Sequence, residues 1–338
     1  MLFQNNKDKQ IEFEKELSKL HKELKSRAKG SACVLCGKEM TSFCKSHSVP
    51  QFILKNIAIE GKLIPYSRLM DGKESDELTG VSSAMTFHNI CKECDKRYFA
   101  DYESEEALLK GLNDKMLAEI ALKNHLLMLY KWRIDKEFTL KAKEEHMPNV
   151  FYPTKEIYDE LTLKDNAFDI QRTKKIIDNG TEKRFAVLFN KTLDWKAPVC
   201  IQTQITLEKD IKGATVNNIL SLSEKNRIQV LHLCVFPFKT KTLILLFHHK
   251  NDKAYREFDK QFKQLSLEKK IEYINYLIFA HTEHAFVSPN ASKRAITNKN
   301  LRKLCYEGGT ILSFYDRGIK PTQIPNFLSE KMKCEDIK

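Results

Sequence analysis

Two cysteine pairs constrain this chain more than any other feature of its sequence. Cys33 and Cys36 form one C-x-x-C pair, and Cys91 and Cys94 form another. A C-x-x-C turn directs two thiolates at one ion, and two such turns complete a tetrahedral four-cysteine site. The pairs therefore predict a structural Zn²⁺, which requires the chain between them to fold back on itself. Redox chemistry is the alternative for an isolated C-x-x-C, but no thioredoxin-like strand and helix surround either pair.

The opening residues, MLFQNNKDKQ, are polar where a secretory signal would have its apolar core, so we expect a cytoplasmic protein. In a reducing compartment, closely spaced cysteines are more often metal ligands than disulfides. The longest apolar run, residues 116–132, is too short to span a bilayer, and we expect no membrane association. Four polar residues interrupt this run: Glu119, Lys123, Asn124 and His125.

The charge balance favours a polyanionic partner. The 338 residues include 57 Lys and Arg against 45 Asp and Glu, which gives a formal net charge of +12. A clustered excess of this size binds nucleic acid through counterion release, whereas a dispersed excess is only a solvated lysine-rich surface. The length also exceeds that of a usual single domain, so we expect two.

A regular apolar seam near the start predicts an amphipathic helix over residues 5–29. Its members alternate at steps of four and three residues, at Phe13, Leu17, Leu20 and Leu24. The seam can pack on the chain's own core or on a second copy of the chain, so a homodimer remains an open alternative.

The predicted fold class is α+β, with the chain divided into five segments. These are an amphipathic helix at 1–30, a small zinc-stapled module at 31–105, a helical connector at 106–150, an α+β domain at 151–330 and a basic tail at 331–338 that is expected to be mobile. Pro148 and Pro153 mark the boundary between the two halves.

The second half predicts a mostly antiparallel sheet packed on helices. The extended segments are residues 185–189, 199–207, 230–236 and 242–248. In several of them branched and aromatic residues alternate with polar ones, as in CIQTQITL, which predicts a sheet with one covered face. Two helices, at 254–265 and 267–280, are expected to follow the strands.

A histidine motif lies between the two cysteine pairs. The segment KSHSVP, which contains His47, begins nine residues after Cys36, while Asn89 precedes the second pair and Asp95 follows it. This order of residues resembles that of the HNH, or ββα-metal, endonucleases, over residues 33–103 and so about a fifth of the chain. The resemblance implies a two-stranded hairpin followed by a helix. It also implies that His47 is the general base, that Asn89 orients it, and that Asp95 is a metal ligand at the start of the helix.

These residue types suit phosphodiester hydrolysis. An imidazole has the near-neutral pKa that a base needs to deprotonate water. A divalent cation neutralises the scissile phosphate and stabilises the leaving oxyanion. An oxygen-rich, half-open site suits Mg²⁺ or Mn²⁺, so the catalytic metal would differ from the structural zinc.

The chain departs from the family pattern at the metal ligands. Family members usually have Asp or His immediately before the base, and this chain has Ser46. His88 and Glu103 are candidates to complete the ligand set of Asp95, since Glu103 lies eight residues further along the same predicted helix, close to the same face. Cys44, three residues before His47, is an alternative metal ligand. Asp95 is alternatively a helix cap, and Glu103 a surface charge.

Basic residues around the motif are expected to contact DNA phosphates, which adds affinity with little sequence information. They are Lys45, Lys92, Lys96 and Arg97. The segment from Cys94 to Glu103 also resembles bacterial HNH-like proteins, some of which are associated with phage defence. The resemblances together imply a DNA endonuclease with a role in antiviral defence.

Two other classes of function remain open. In one, the zinc-held hairpin is a non-catalytic module that binds nucleic acid or protein. In the other, the second half senses a small molecule or docks a protein partner and so controls the first. A second group of imidazoles, at His248, His249, His281 and His284, is a weaker metal-site pattern because it has no third placed ligand.

Overall fold

The computed structural model describes residues 7–71, 78–146, 152–308 and 318–334. It contains helices and antiparallel strands together, which confirms the predicted α+β class. The helices are Lys7–Arg27 (α1), Gln51–Ile57 (α2), Tyr66–Asp71 (α3), Lys92–Phe99 (α4), Glu105–Lys110 (α5), Asp114–Glu144 (α6), Tyr152–Asp178 (α7), Arg256–Gln264 (α8), Leu267–Ala280 (α9), Lys293–Ile296 (α10) and Lys299–Gly308 (α11). The strands are Ser46–His47 (β1), Lys62–Pro65 (β2), Thr79–Gly80 (β3), Thr86–Phe87 (β4), Phe185–Leu193 (β5), Val199–Ile205 (β6), Leu231–Pro237 (β7), Thr242–His249 (β8) and Phe286–Val287 (β9).

Seven of these strands form one sheet in the order β3-β2-β9-β6-β7-β8-β5, and every neighbouring pair is antiparallel. The longest strands, β5 to β8, lie where the alternating segments were predicted. β2 and β3 come from the predicted zinc module, and β9 joins them to β6. The two halves of the chain therefore share a sheet, while the boundaries of the five segments stay predictions.

Both faces of the sheet are covered at the central strands β6, β7 and β8, so the prediction of a single covered face is wrong there. Every residue of β6, β7 and β8 is buried. Successive side chains of a strand point to opposite faces. Accordingly, Cys234 and Leu245 pack with α6, whereas Leu233 and Leu246 pack with α8 and α9. The polar residues of CIQTQITL misled the prediction because they face hydrogen-bonding groups in the interior. Gln202 donates to the hydroxyl of Tyr102, in the turn between α4 and α5, at 3.1 Å, and Gln204 is hydrogen-bonded to His125 of α6.

Helix α6 is the central element of the fold and occupies most of the segment predicted as a connector. The four polar residues that interrupt its apolar run are all at most 1% exposed. Each such group needs a partner in the interior, and Asn124 donates to the backbone oxygen of Thr203 at 3.0 Å. Its buried first half packs between the zinc module and the sheet.

Helix α7 packs along α6 and was not predicted. Its sequence carries no continuous apolar stripe, because much of its inner face is polar. Thr139 of α6 donates to Asp159 at 3.1 Å, and Arg172 donates to Asp252 beyond β8 at 2.9 Å. A helix that buries ion pairs lacks the 3.6-residue hydrophobic period on which the prediction depends.

Both termini of the described chain pack on the fold. Leu24 of α1 is buried and Leu17 is 46% exposed, while Arg27 forms ion pairs with α6 residues Glu137 and Glu144. The end of α1 thus docks on the chain's own core, and the side chain of Phe13 lies outside the described residues. Near the other end, the backbone N–H of Cys334 donates to Lys196 at 2.9 Å, so residues up to 334 of the predicted mobile tail are fixed. Within the described residues, no helix has the length and apolarity needed to cross a bilayer.

Candidate metal centre and active site

The first cysteine pair lies in a tight turn. The N–H of Cys33 donates to the oxygen of Lys38, and the N–H of Gly37 donates back to the oxygen of Cys33, both at 2.8 Å. Gly37 has a φ of 74°, in the left-handed region that glycine adopts at no steric cost. This turn brings the thiols of Cys33 and Cys36 to one side of the backbone.

The second pair begins helix α4. Cys91 is the N-cap residue, and its Sγ accepts from the N–H of Cys94 at 3.4 Å. The N–H of Cys91 in turn donates to the Sγ of Cys33 at 3.3 Å, which ties the two pairs together. Backbone N–H groups directed at sulfur stabilise the thiolate form that a metal requires.

The four thiols form a cluster whose geometry fits Zn²⁺. Their sulfur atoms all lie within 4.8 Å of one another, and the sulfurs of Cys36 and Cys91 are 3.9 Å apart. A tetrahedral site with Zn–S bonds of about 2.3 Å requires sulfurs about 3.8 Å apart, whereas a disulfide requires about 2.05 Å. In the part of the chain that the structure describes, this is the one group of three or more such ligands. The cluster supports the predicted structural zinc and leaves out Cys44.

Burial and hydrogen bonding shift the pKa values of Cys33 and Cys94 in opposite directions. Burial raises the pKa of Cys33, but backbone donors led by Cys91 outweigh it and bring the pKa down to about 7. Burial, with the neighbouring thiols, raises the pKa of Cys94 well above its usual value. Four thiolates this close repel one another, and a dication at their centre would remove that repulsion.

A small hairpin and a helix adjoin the cysteine cluster. β1 pairs antiparallel with β4, with Ser46 opposite Phe87 and His47 opposite Thr86. Residues 48–85 form a long connection between these two strands. Four residues separate the end of β4 from the start of α4. The order of the three elements is β1, β4, α4, which is the ββα order that the sequence motif implies.

His47 is half-buried on β1, with its Nε2 at 3.1 Å from the backbone oxygen of Val81. A carbonyl oxygen only accepts, so Nε2 carries the proton and Nδ1 keeps its lone pair. Burial lowers the pKa of His47, and the charges of Lys123 and Lys45 lower it further, against the opposing effects of the hydrogen bond to Val81 and the charge of Asp95. The imidazole is therefore neutral near pH 7, which is the form that can accept a proton.

Asp95 lies in the first turn of α4 and faces the hairpin. Its Oδ1 accepts a hydrogen bond from the hydroxyl of the buried Ser46 at 2.6 Å. The helix cap is Cys91, so Asp95 does not have the capping role considered above. Burial, followed by the charge of Asp95, raises the pKa of Cys44.

Lys123 of α6 lies close enough to His47 for its charge to act on the imidazole. The sequence did not predict Lys123 as part of the site. Its side chain is 1% exposed and forms an ion pair with Glu103, whose side chain is 34% exposed. Its ammonium also lies 4.5 Å from the ring centroid of Phe99. Glu103 is thus committed to a lysine rather than free to ligate. The available signal was a lysine inside the apolar run 116–132, since a buried charge in such a run requires a partner.

The structure directs the two remaining candidates, Asn89 and His88, elsewhere. The amide of Asn89 donates to the backbone oxygen of Leu126 in α6 at 2.8 Å, so one of its two amide hydrogens is directed at α6 rather than at His47. His88 packs edge-on against Tyr130. Burial lowers the pKa of His88, and three lysines led by Lys45 lower it further.

The predicted phosphate-contacting residues lie around the cluster and hairpin. Lys45, Lys92 and Lys96 are exposed. The side chain of Arg97 is 69% exposed and pairs with Asp178 of α7 at 3.2 Å. Arg97 therefore has to share its charge between Asp178 and any phosphate, whereas the three lysines face solvent.

The second group of imidazoles is dispersed. His248 pairs with Asp259 at 3.0 Å, and His249 lies edge-on to Phe185. His284 contacts the hydroxyl of Thr203 at 3.0 Å. These residues serve separate contacts in the second half of the chain.

Comparison with protein-family models, with curated proteins and with solved structures found no match for this chain.

Proposed function

We propose that residues 33–103 form a metal-dependent endonuclease module of the HNH type, which hydrolyses phosphodiester bonds in DNA with His47 as general base. The observation that carries this proposal is the hydrogen bond that joins the strand of His47 to Asp95 on the following helix. The histidine lies on the hairpin, the aspartate lies on the following helix, and Ser46 joins the two elements through its hydrogen bond to Asp95.

The protonation state of His47 suits the role of a base. Val81 fixes the ring through Nε2, which leaves Nδ1 to accept a proton from water. The lowered pKa keeps Nδ1 unprotonated at neutral pH. A base that is already hydrogen-bonded through its other nitrogen needs no reorientation during the reaction.

The charged groups near His47 suit a phosphate substrate. Asp95 offers carboxylate oxygen to Mg²⁺ or Mn²⁺, which would neutralise the scissile phosphate when bound. Mg²⁺ needs only one or two protein carboxylates when substrate phosphates and waters complete its shell, so one aspartate is sufficient in principle. Lys123 and Lys45 contribute positive charge close to His47. It stays a prediction that Asn89 orients the base and that His88 and Glu103 are metal ligands. The contacts that these three residues make with Leu126, Tyr130 and Lys123 do not favour those roles.

The test is cleavage of supercoiled plasmid by the full-length, zinc-loaded protein with Mg²⁺ or Mn²⁺. We expect nicking that is lost on chelation of the added metal and lost at least about 100-fold in His47→Ala. Zinc content, measured on the same samples, separates loss of catalytic metal from loss of the cysteine-bound ion. His146→Ala, which removes an exposed histidine beyond the end of α6, is the matched control and should cleave normally.

The alternative is a module that binds DNA without cleaving it. Binding of a labelled duplex distinguishes the two, since His47→Ala in an enzyme retains binding and loses cleavage. A wild-type protein that has its zinc and binds duplex, yet cleaves with neither metal, would overturn the enzymatic proposal. The antiviral role and control of the nuclease by the second half of the chain depend on the same result, whereas the homodimer is a separate prediction.

A further inference from the structure

Helix α1 presents a row of lysines to solvent on the side opposite the residues that dock it on the fold. The helical repeat of 3.6 residues brings lysines at steps of three and four residues onto one face. Leu24 is buried on the other side of the helix, where Arg27 pairs with Glu137 of α6. We call this row, which extends just beyond the end of α1, the lysine stripe, and all of its members are exposed: Lys15, Lys19, Lys22, Lys25 and Lys29.

The stripe differs from the mixed charge found on the other long helices. Lysines there have acidic partners: Lys141 of α6 pairs with Glu23 at 2.8 Å, and Lys174 of α7 pairs with Asp178 at 2.6 Å. Within the described ranges of the chain, the ion pairs that α1 makes involve Glu23 and Arg27 and none of the stripe lysines. A row of one charge sign without acidic partners creates a positive potential that attracts a polyanion.

One end of the stripe is held beside the hairpin that carries His47. The Nζ of Lys29 donates to the backbone oxygen of Thr41 at 2.8 Å and lies 5.8 Å from the ring centroid of Phe43. Thr41 and Phe43 lie shortly before β1 in the chain. The stripe therefore ends next to the segment that leads into the strand of His47.

One face of the hairpin continues the positive charge toward His47. Residues two apart on a strand share a face, so Lys45 lies on the face of His47. Thr86 pairs opposite His47, and His88 follows Thr86 by two positions on the other strand. Lys45 is exposed and His88 is half-buried, whereas Ser46 between Lys45 and His47 is buried. Lys45, His47 and His88 thus share the more open face of the hairpin.

Electrostatics link this face to the stripe. Burial lowers the pKa of His88, and the charges of Lys45, Lys25 and Lys29 lower it further. The hairpin lysine and two stripe lysines are therefore close enough to His88 to act on the same imidazole. The positive charge runs without a break from the stripe to the hairpin.

We propose that the lysine stripe and the hairpin face of Lys45 and His88 form one surface that binds the backbone of duplex DNA beside His47. The choice of DNA rests on the proposed nuclease function. At a rise of 1.5 Å per residue, the stripe from Lys15 to Lys25 is about 15 Å long. One DNA strand presents a phosphate about every 3.4 Å of its axis, so the stripe can contact about four successive phosphates.

The composition of the stripe favours a duplex over a single strand. Its five positions hold lysine and no aromatic residue. Proteins that bind single strands combine a positive groove with aromatic side chains on which the bases stack. A duplex covers its bases and offers phosphates, which is what a lysine surface binds.

The test is binding of a labelled duplex of about 20 base pairs by the full-length, zinc-loaded protein without added Mg²⁺ or Mn²⁺, at about 50–200 mM salt. The stripe variant combines Lys15→Gln, Lys19→Gln and Lys22→Gln. We expect its Kd at about 150 mM salt to rise at least about tenfold. The slope of log affinity against log salt should become less steep by about three, since each phosphate contact contributes about 0.9. Gln and Lys have similar helix propensities, so α1 should persist.

Lys45→Gln tests the hairpin end of the surface and should reduce the slope by about one. The matched control combines Lys263→Gln, Lys299→Gln and Lys320→Gln, which removes the same charge from exposed lysines in the second half of the chain. It should bind the duplex with the wild-type slope. Circular dichroism and zinc content, measured on every variant, show that each protein is folded.

Four results would overturn the proposal. They are no duplex binding by the wild-type protein at about 50 mM salt, a wild-type slope in the stripe variant or in Lys45→Gln, an equal loss in the control, and tighter binding of single-stranded DNA or duplex RNA of the same length. A protein that binds duplex through the stripe without nicking plasmid supports this surface and overturns only the nuclease. A protein that nicks plasmid while its stripe variant keeps the wild-type slope does the reverse.

Discussion

The zinc module and the large sheet of this protein are stabilised by different physical means. β1 and β4 pair through two residues each, and the turn and helix start beside them are held by four cysteines. β6, β7 and β8 instead pair over five or six residues and bury every side chain. A two-residue ladder is not stable alone, so we expect the first region to depend on a metal held by its cysteines in addition to the apolar residues that it buries against α6, whereas the second depends on burial of apolar surface alone. We therefore expect that a substitution that unfolds one of the two regions leaves the other folded.

The largest expected effect is that of Cys36→Ser. This cysteine is exposed, so its substitution removes a zinc ligand with little loss of packing. Zinc binding contributes about 10–16 kcal/mol to the folding of small zinc modules, and we expect most of this to be lost for the module. Zinc content should fall, and amide hydrogen exchange should become fast in β1, β4 and α4 while β7 and β8 stay protected.

Cys334→Ser, far from the cluster along the chain, is the control and should retain both zinc and protection. Equal loss of protection in β7 and β8 after Cys36→Ser would show that the module and the sheet unfold as one unit. That result would contradict the expectation that the two regions unfold independently.

A smaller effect is expected in the sheet. Leu245 of β8 is fully buried and packs on the α6 side. Leu245→Ala should lower the free energy of unfolding by about 2–5 kcal/mol, through lost burial and the cavity that remains. Denaturant titration measures this loss, and zinc content should stay as in wild type. Leu267→Ala, at a position 50% exposed, should change stability by less than about 0.5 kcal/mol. A Leu245→Ala protein no weaker than this control would contradict the importance of burial.

The smallest effect concerns Lys123, at the point where the two regions meet. Lys123→Met removes a positive charge that lowers the pKa of His47. Without this charge, less electrostatic repulsion opposes protonation of the imidazole, so the pKa of His47 should rise. The acid limb of any pH-rate profile should then move to higher pH. Stability should fall by only about 1–2 kcal/mol, because the abandoned Glu103 is one-third exposed and rehydrates.

NMR titration of the His47 ring gives the pKa directly. Lys115→Met is the control because it removes a lysine from the same helix that pairs with Asp101 at 2.7 Å. If both variants leave His47 with its wild-type pKa, Lys123 has no electrostatic role at the candidate site.

Much of the sheet could be predicted because its strands carry strong local signals. β5 to β8 and α9 lie where alternation and helical spacing indicated, and α9 covers the predicted residues 267–280. Three other features depend on distant partners. α7 buries ion pairs, the polar residues of β6 face a polar helix, and β9 has two residues and pairs only because β2 and β6 flank it. No local period reports such contacts.

The candidate site shows the same division. The cysteine spacing predicted a cluster that the structure contains, since two short turns suffice to form it. The surroundings of His47 could not be predicted from local sequence. Val81 lies in the long connection between the two hairpin strands, and Lys123 lies on a helix more than 70 residues further along the chain. The hydrogen bond of Asn89 to α6 could not be predicted either, because the backbone oxygen that accepts it belongs to Leu126, 37 residues further along the chain.

The position of β9 has a consequence for the order in which the protein is made. Strand β2 belongs to the first quarter of the chain, yet its link to β6 is a two-residue strand at Phe286–Val287. A ribosome synthesises these residues more than 200 residues after β2, so the cysteine-rich region cannot join the completed sheet until they emerge. Until then β2 and β6 each present an unpaired edge, which is a template for association with other chains. A truncated product that ends before residue 286 would retain those open edges permanently.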